Sequence, residues 1–201
     1  MKVVVYVEGG GHQRKTLDDC RRGFGQLFEK VVREGQSPKV RACGGRGDTF
    51  HDFQRDVRQG KEGFLIILVD SEEPVGANVT PWNHVRTQDG WKKPKNVRED
   101  QAHLMVQCME SWLLADRDAL SEYYNQGFFV NSLPGRTNIE EIPKRDVAQA
   151  LDHATRPTQK GVYHKTRHGF ELLANIDPAK VRAASGYARR FFEVLEERAG
   201  M

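Results

Sequence analysis

Apolar positions along the chain fall into two periodicities. Lys2 to Val7 is β-branched and apolar on successive residues, which predicts a strand buried on both faces, as in a parallel sheet. Gly9-Gly10-Gly11 breaks it. Gln13 to Arg33 then places Leu17, Phe24, Leu27, Phe28, Val31 and Val32 at helical spacing, with Gly35 where a C-cap belongs. Pro38 to Cys43 predicts a second strand and Gly44 to Gly47 a turn. A second helix runs from Asp48 or Thr49 to about Gln59. Phe64 to Val69 is an uninterrupted apolar strand ending in Asp70. Ser71 to Asp100 has few apolar residues and three prolines, and it reads as a long excursion. Ala102 to Val106 predicts a further strand, and Cys108 to Ala115 a helix start. Helical spacing then covers 117–125, 144–153, 166–173, 178–184 and 187–198, with Asp177-Pro178 as N-cap and first helical residue. Alternating strands and helices predict an α/β fold around a parallel sheet, with a mainly helical C-terminal third. Residues 1–125 form the expected core, and 126–201 a helical, basic extension packed on it.

Composition narrows the class. A chain of 201 residues with 38% hydrophobic and 29% charged positions has enough apolar material for a core. No apolar run approaches the ~18 residues of a membrane helix. Met1 to Val7 leads into Glu8 rather than a cleavage site, and Cys20, Cys43 and Cys108 form no CxxC pair. A cytoplasmic protein without disulfides or a cysteine-rich zinc site is the expectation. The net charge of +3 is unevenly spread: Thr155 to Arg190 carries +6, the remainder −3. An acidic body with a basic C-terminal region suits a metal site beside a polyanion, and equally an ordinary solvated helical face.

Candidate chemistry gathers where strands end. Glu8 follows the first strand; Asp70 and Glu72 follow the third, two residues apart and so on one side of an extended segment. Clustered carboxylates repel one another unless a cation joins them, and hard oxygen donors suit Mg²⁺ or Mn²⁺. Such a centre activates water and neutralises phosphate charge. Glu110, in the apolar run His103 to Asp116, is a fourth candidate, because a buried carboxylate must be paired, protonated or metal-bound. His103 is better read as a satisfied core or edge histidine. Gly9, Gly10 and Arg46 lie on glycine-rich turns that suit phosphate, although neither turn is a P-loop or a GxGxxG. Lys160, Lys165 and Arg167, beside Tyr163, are candidate contacts to a nucleic-acid backbone.

Val7-Glu8-Gly9 followed by Val69-Asp70-Ser71-Glu72 resembles the Toprim pattern, a glutamate after the first strand and a DxD after a later one. Here the DxD reads Asp-Ser-Glu. With His103 to Asp116 and Lys165 to Leu173, nearly the whole chain resembles a bacterial family of Toprim-like proteins of this size. The resemblance implies a Rossmann-like core with Glu8 as general acid/base, Asp70 and Glu72 holding Mg²⁺, and Glu110 as a family-specific acid. It also implies a metal-dependent phosphodiesterase, a nuclease, with nucleic acid as partner and genes beside ATPases in anti-phage defence loci. The alternative is a non-catalytic or regulatory module partnering an ATPase. A phosphotransferase is disfavoured by the lack of a nucleotide-binding loop, and a topoisomerase by the lack of any marked tyrosine.

Overall fold

The computed structural model describes residues 2–201. Four parallel strands, β1 (Val3–Glu8), β2 (Lys39–Cys43), β3 (Phe64–Asp70) and β4 (Ala102–Met105), pair in the order β2-β1-β3-β4. Strand periodicity sorts their side chains onto two faces. Val3, Val5, Val7, Ile66 and Leu68 join one cluster, and Val4, Tyr6, Leu65, Ile67 and Val69 the other. Both faces are covered, which explains why the two central strands, β1 and β3, are apolar up to their last residue.

Helices α1 (Arg14–Glu29) and α2 (Arg46–Arg58) cover opposite faces: Phe24 and Leu27 of α1 join the first cluster, Phe53 of α2 the second. The chain therefore winds outward one way from β1 to β2, then reverses to β3. That reversal makes a topological switch point between β1 and β3, where the carboxyl ends of the strands open a crevice. The doubly wound sheet is consistent with the Rossmann-like, Toprim-like fold expected from the sequence.

The C-terminal helices complete the first face. They are α4 (Met109–Leu114), α5 (Arg117–Tyr124), α6 (Lys144–Thr155), α7 (Phe170–Asn175), α8 (Pro178–Ala184) and α9 (Gly186–Ala199). Phe170, Leu173, Phe191 and Phe192 are buried in the same cluster as Phe24 and Phe28, with Phe28 and Phe191 rings 5.4 Å apart. Asp177 caps α8 as expected, accepting from the Ala179 amide at 2.8 Å. All three cysteines are buried free thiols, Cys20 and Cys108 on this face and Cys43 on the other, and burial pushes each up to about 12.

Several boundaries differ from the sequence expectation, each for a local reason. α1 stops at Glu29 rather than Arg33, and Gly35 lies beyond it in a loop. Lys30 turns away there, donating to the carbonyls of Ala174, Asn175 and Ile176 at the end of α7. α2 starts at Arg46 because Asp48 is not its N-cap but its third residue, accepting from the Gly45 amide at 2.7 Å. The excursion after β3 contains α3 (Pro81–Asp89), in which Thr80 is the N-cap and Pro81 begins the helix instead of interrupting it. The helix expected over 166–173 is instead a π-helical turn, Lys165–Gly169, leading into α7. Among the described residues, no helix is long and apolar enough to cross a membrane.

Candidate metal centre

Glu8, Asp70 and Glu72 meet at the switch point. Each offers an oxygen within 4.8 Å of the others. The sheet explains the first two: Glu8 is the last residue of β1, and Asp70 the last of the adjacent β3. Glu72 arrives differently from the expectation. The segment is not extended there, since Glu72 adopts a left-handed φ of 66° while its amide donates to the Gln107 carbonyl at 2.9 Å. A non-glycine residue in this region is strained by about 1 kcal/mol, so the surrounding hydrogen bonds must hold it.

The three acids differ in environment. Asp70 is sealed, with its side chain 2% exposed. Its Oδ1 accepts from the Met109 amide at 2.7 Å, and its Oδ2 faces the Lys165 ammonium at 3.4 Å. Burial pushes the Asp70 carboxyl up to about 6; Lys165 opposes that, and Glu110 and Glu8 reinforce it. Glu72 is half-exposed and paired through Oε2 with Lys144 at the start of α6. Glu8 Oε2 is closed off from solvent and has no hydrogen-bond partner. A buried carboxylate oxygen without a donor is costly, and a cation would offset that cost. The donor set is all oxygen, which fits Mg²⁺ or Mn²⁺.

Glu110 lies in the first turn of α4, and its Oε1 accepts from the Tyr163 hydroxyl at 3.1 Å. It is not one of the three converging acids. Lys165 stands on the π-helical turn, an irregularity common at functional sites. Burial works to lower its pKa, but Asp70, Glu110 and Glu8 together hold it well above the ordinary lysine value. Lys165 therefore belongs to the acidic centre itself rather than to a separate basic surface.

The remaining candidates are more scattered. Arg46 reaches the centre through Nη1, which donates to the Asp70 carbonyl, but its Nε and Nη2 are taken by Asp89 at 2.7 and 2.8 Å. The Gly9 amide is committed to the Cys43 carbonyl at 2.7 Å, and a Cβ there would lie 2.3 Å from that oxygen. This glycine serves the close approach of β2. Gly10 has φ 72° and faces Thr166 of the π-helical turn, so its loop borders the centre. Arg167 is exposed on that turn, and Lys160 lies 4.4 Å over the Tyr123 ring. His103 is outside the centre: its ring bonds the Asp100 carbonyl at 3.1 Å, and burial brings it down to about 4, so it is neutral.

Sequence reasoning missed Lys144 and the Tyr163–Glu110 bond. Lys144 follows Pro143 in an ordinary amphipathic helix, and nothing in the local pattern distinguishes it from a solvated lysine. Its amide donates to Gln107 Oε1 at 3.1 Å, and that contact, with the burial of Val147 and Leu151, brings the start of α6 to Glu72.

Fold and site together define a doubly wound α/β protein with an acidic, lysine-bearing centre at its switch point. The chain belongs to the family described as Domain of unknown function (DUF4276), whose model matches residues 7–196. No curated protein and no solved structure matches it.

Proposed function

We propose that this protein is a Mg²⁺- or Mn²⁺-dependent phosphodiester hydrolase, a nuclease of the Toprim type. The observation that carries the reading is the convergence of Glu8, Asp70 and Glu72 at the switch point, with one Glu8 oxygen buried and unpartnered. These three residues would hold the ion. A divalent cation there supplies water activation and charge neutralisation on a bound phosphate. Glu8, at the strand end and free of other partners, is the residue to move a proton between water and the scissile oxygen. The Met109 amide fixes the orientation of Asp70. Gly10, Arg167 and Lys160 would contact the nucleic-acid backbone, contacts that position without reading sequence. Lys165 and Arg46 offer positive charge beside the acids. The resemblance stated above extends the proposal to a cytoplasmic protein working with an ATPase in phage defence.

The test is incubation of the purified chain with single- and double-stranded DNA and RNA, with Mg²⁺ or Mn²⁺ and with EDTA. Cleavage should require the ion. Glu8→Gln should lower its rate by roughly 10²–10⁴-fold, the span of general acid–base catalysis. Cleavage that persists in EDTA, or at the wild-type rate in Glu8→Gln, removes the proposal.

One observation favours a second reading, that of a non-catalytic module partnering an ATPase. Lys144 and Lys165 already offset part of the acidic charge. On that reading metal binding is weak and no substrate is cleaved, while the ATPase's turnover changes when the chain is added.

A further inference from the structure

Two ammonium groups reach the acidic centre from the C-terminal region, and they engage different acids. Lys144 pairs with Glu72. Lys165 lies 3.4 Å from Asp70 Oδ2 and also sits in the field of Glu110 and Glu8. Glu110 is thus close enough to act on Lys165 and Asp70, yet it stands apart from the three converging acids. Its Oε1 accepts from the Tyr163 hydroxyl.

The centre therefore has two cation positions that share Asp70. One, among Glu8, Asp70 and Glu72, includes the unpartnered Glu8 oxygen. The other, beside Asp70 and Glu110, already holds an ammonium. The charge agrees with this division. Glu8, Asp70, Glu72 and Glu110 contribute four negative charges, Lys144 and Lys165 return two positive ones, and Arg46 is matched by its own partner Asp89. What remains is the charge of one divalent ion.

We propose that this centre takes a single divalent cation, at Glu8, Asp70 and Glu72, and that the Lys165 ammonium permanently holds the place of a second ion beside Asp70 and Glu110. The inference rests on the metal-centre reading and deepens it. Glu110 becomes the counter-charge that keeps Lys165 in position, which gives this acid a role that the three-acid pattern does not. A second ion is excluded by electrostatics: it would have to enter beside a fixed positive charge and share Asp70, whose Oδ2 already faces that charge.

The experiment is Mn²⁺ titration of the full chain by calorimetry and by electron paramagnetic resonance, on wild type, Lys165→Met, Lys165→Arg and Lys144→Met. Circular dichroism checks that each variant is folded. Wild type should bind one Mn²⁺ per chain with a mononuclear signal. Lys165→Met should admit a second ion and show a spin-coupled pair. Lys165→Arg keeps the charge and should stay at one. Lys144→Met should also stay at one, bound roughly ten-fold more tightly, because Glu72 is released from its lysine. A coupled pair in wild type or in Lys165→Arg overturns the inference. So does a Lys165→Met variant that binds one ion with wild-type affinity. Absence of any Mn²⁺ binding in all four chains instead removes the metal centre on which the inference stands.

Discussion

At Asp56 four side chains converge on one carboxylate. Tyr6 donates at 2.6 Å and Arg41 at 2.8 Å, with Arg55 at 3.1 Å and Lys61 completing the set. Burial works to raise this carboxyl, but hydrogen bonds from Lys61, Tyr6 and Arg55 bring it down to about 2. The sign follows from the depressed pKa. The stabilisation is present above the ordinary carboxylate range and is lost as pH falls through about 2. Asp56→Asn should therefore cost about 2 kcal/mol near neutral pH. That is less than the ~3–5 kcal/mol of breaking a fully buried pair, because the cations can turn to water. Urea unfolding of both proteins from pH 7 to pH 2 should show the difference shrinking below about pH 4; a difference independent of pH would contradict the assignment. This network lies on α2's face of the sheet and owes nothing to the metal centre. Nothing in the spacing of Tyr6, Arg41, Asp56 and Lys61 announces it, since strand register and helix rotation bring them together.

The elements show a similar division between what the pattern carries and what packing adds. The strands and α8 were legible because periodicity and capping are local properties. The end of α1, the presence of α3 and the π-helical turn were not. The first depends on Lys30 capping a helix more than a hundred residues away. The second lies in a stretch whose prolines resemble breakers until one is seen to begin a helix. The contact between α1 and α7 illustrates why such detail matters. A Cβ on Gly23 would lie 2.4 Å from the Phe170 carbonyl oxygen, backbone against backbone. Gly23→Ala improves helix propensity by up to ~1 kcal/mol. The clash should outweigh this, giving a net destabilisation of about 2 kcal/mol, within the usual range for overpacking. A variant more stable than wild type in denaturant titration would show that the two helices separate without cost. Because α7 follows the turn that carries Lys165, a shift at Gly23 that draws this ammonium away from Asp70 should also tighten Mn²⁺ binding.

For the whole molecule, the central question is whether the N-terminal α/β part stands alone. Its three converging acids were evident from the residues that follow the strands, whereas the switch point emerged only with the strand order β2-β1-β3-β4. Lys144 and Lys165, by contrast, come from the region read as an appended basic extension. The first-face cluster runs through both parts: Phe24, Leu27, Phe28, Trp112 and Leu113 pack with Phe170, Leu173, Phe191 and Phe192. Exposing such side chains costs ~1.5–3 kcal/mol each. The five in the N-terminal part thus forfeit about as much as the ~5–15 kcal/mol that stabilises a typical domain. A fragment comprising residues 1–125 should accordingly lack a cooperative thermal transition and bind hydrophobic dyes. A sharp transition in that fragment would show that the extension is a separate unit.

The burial of every cysteine gives the chain a chemical memory of its own opening. Cys20, Cys43 and Cys108 lie beneath both sheet faces with their thiols held protonated at neutral pH. An alkylating reagent reacts with thiolate, so the closed molecule is silent towards it. Each modified sulfur then records one excursion of the layer above it, and the order in which the three are marked gives the sequence in which the layers come apart.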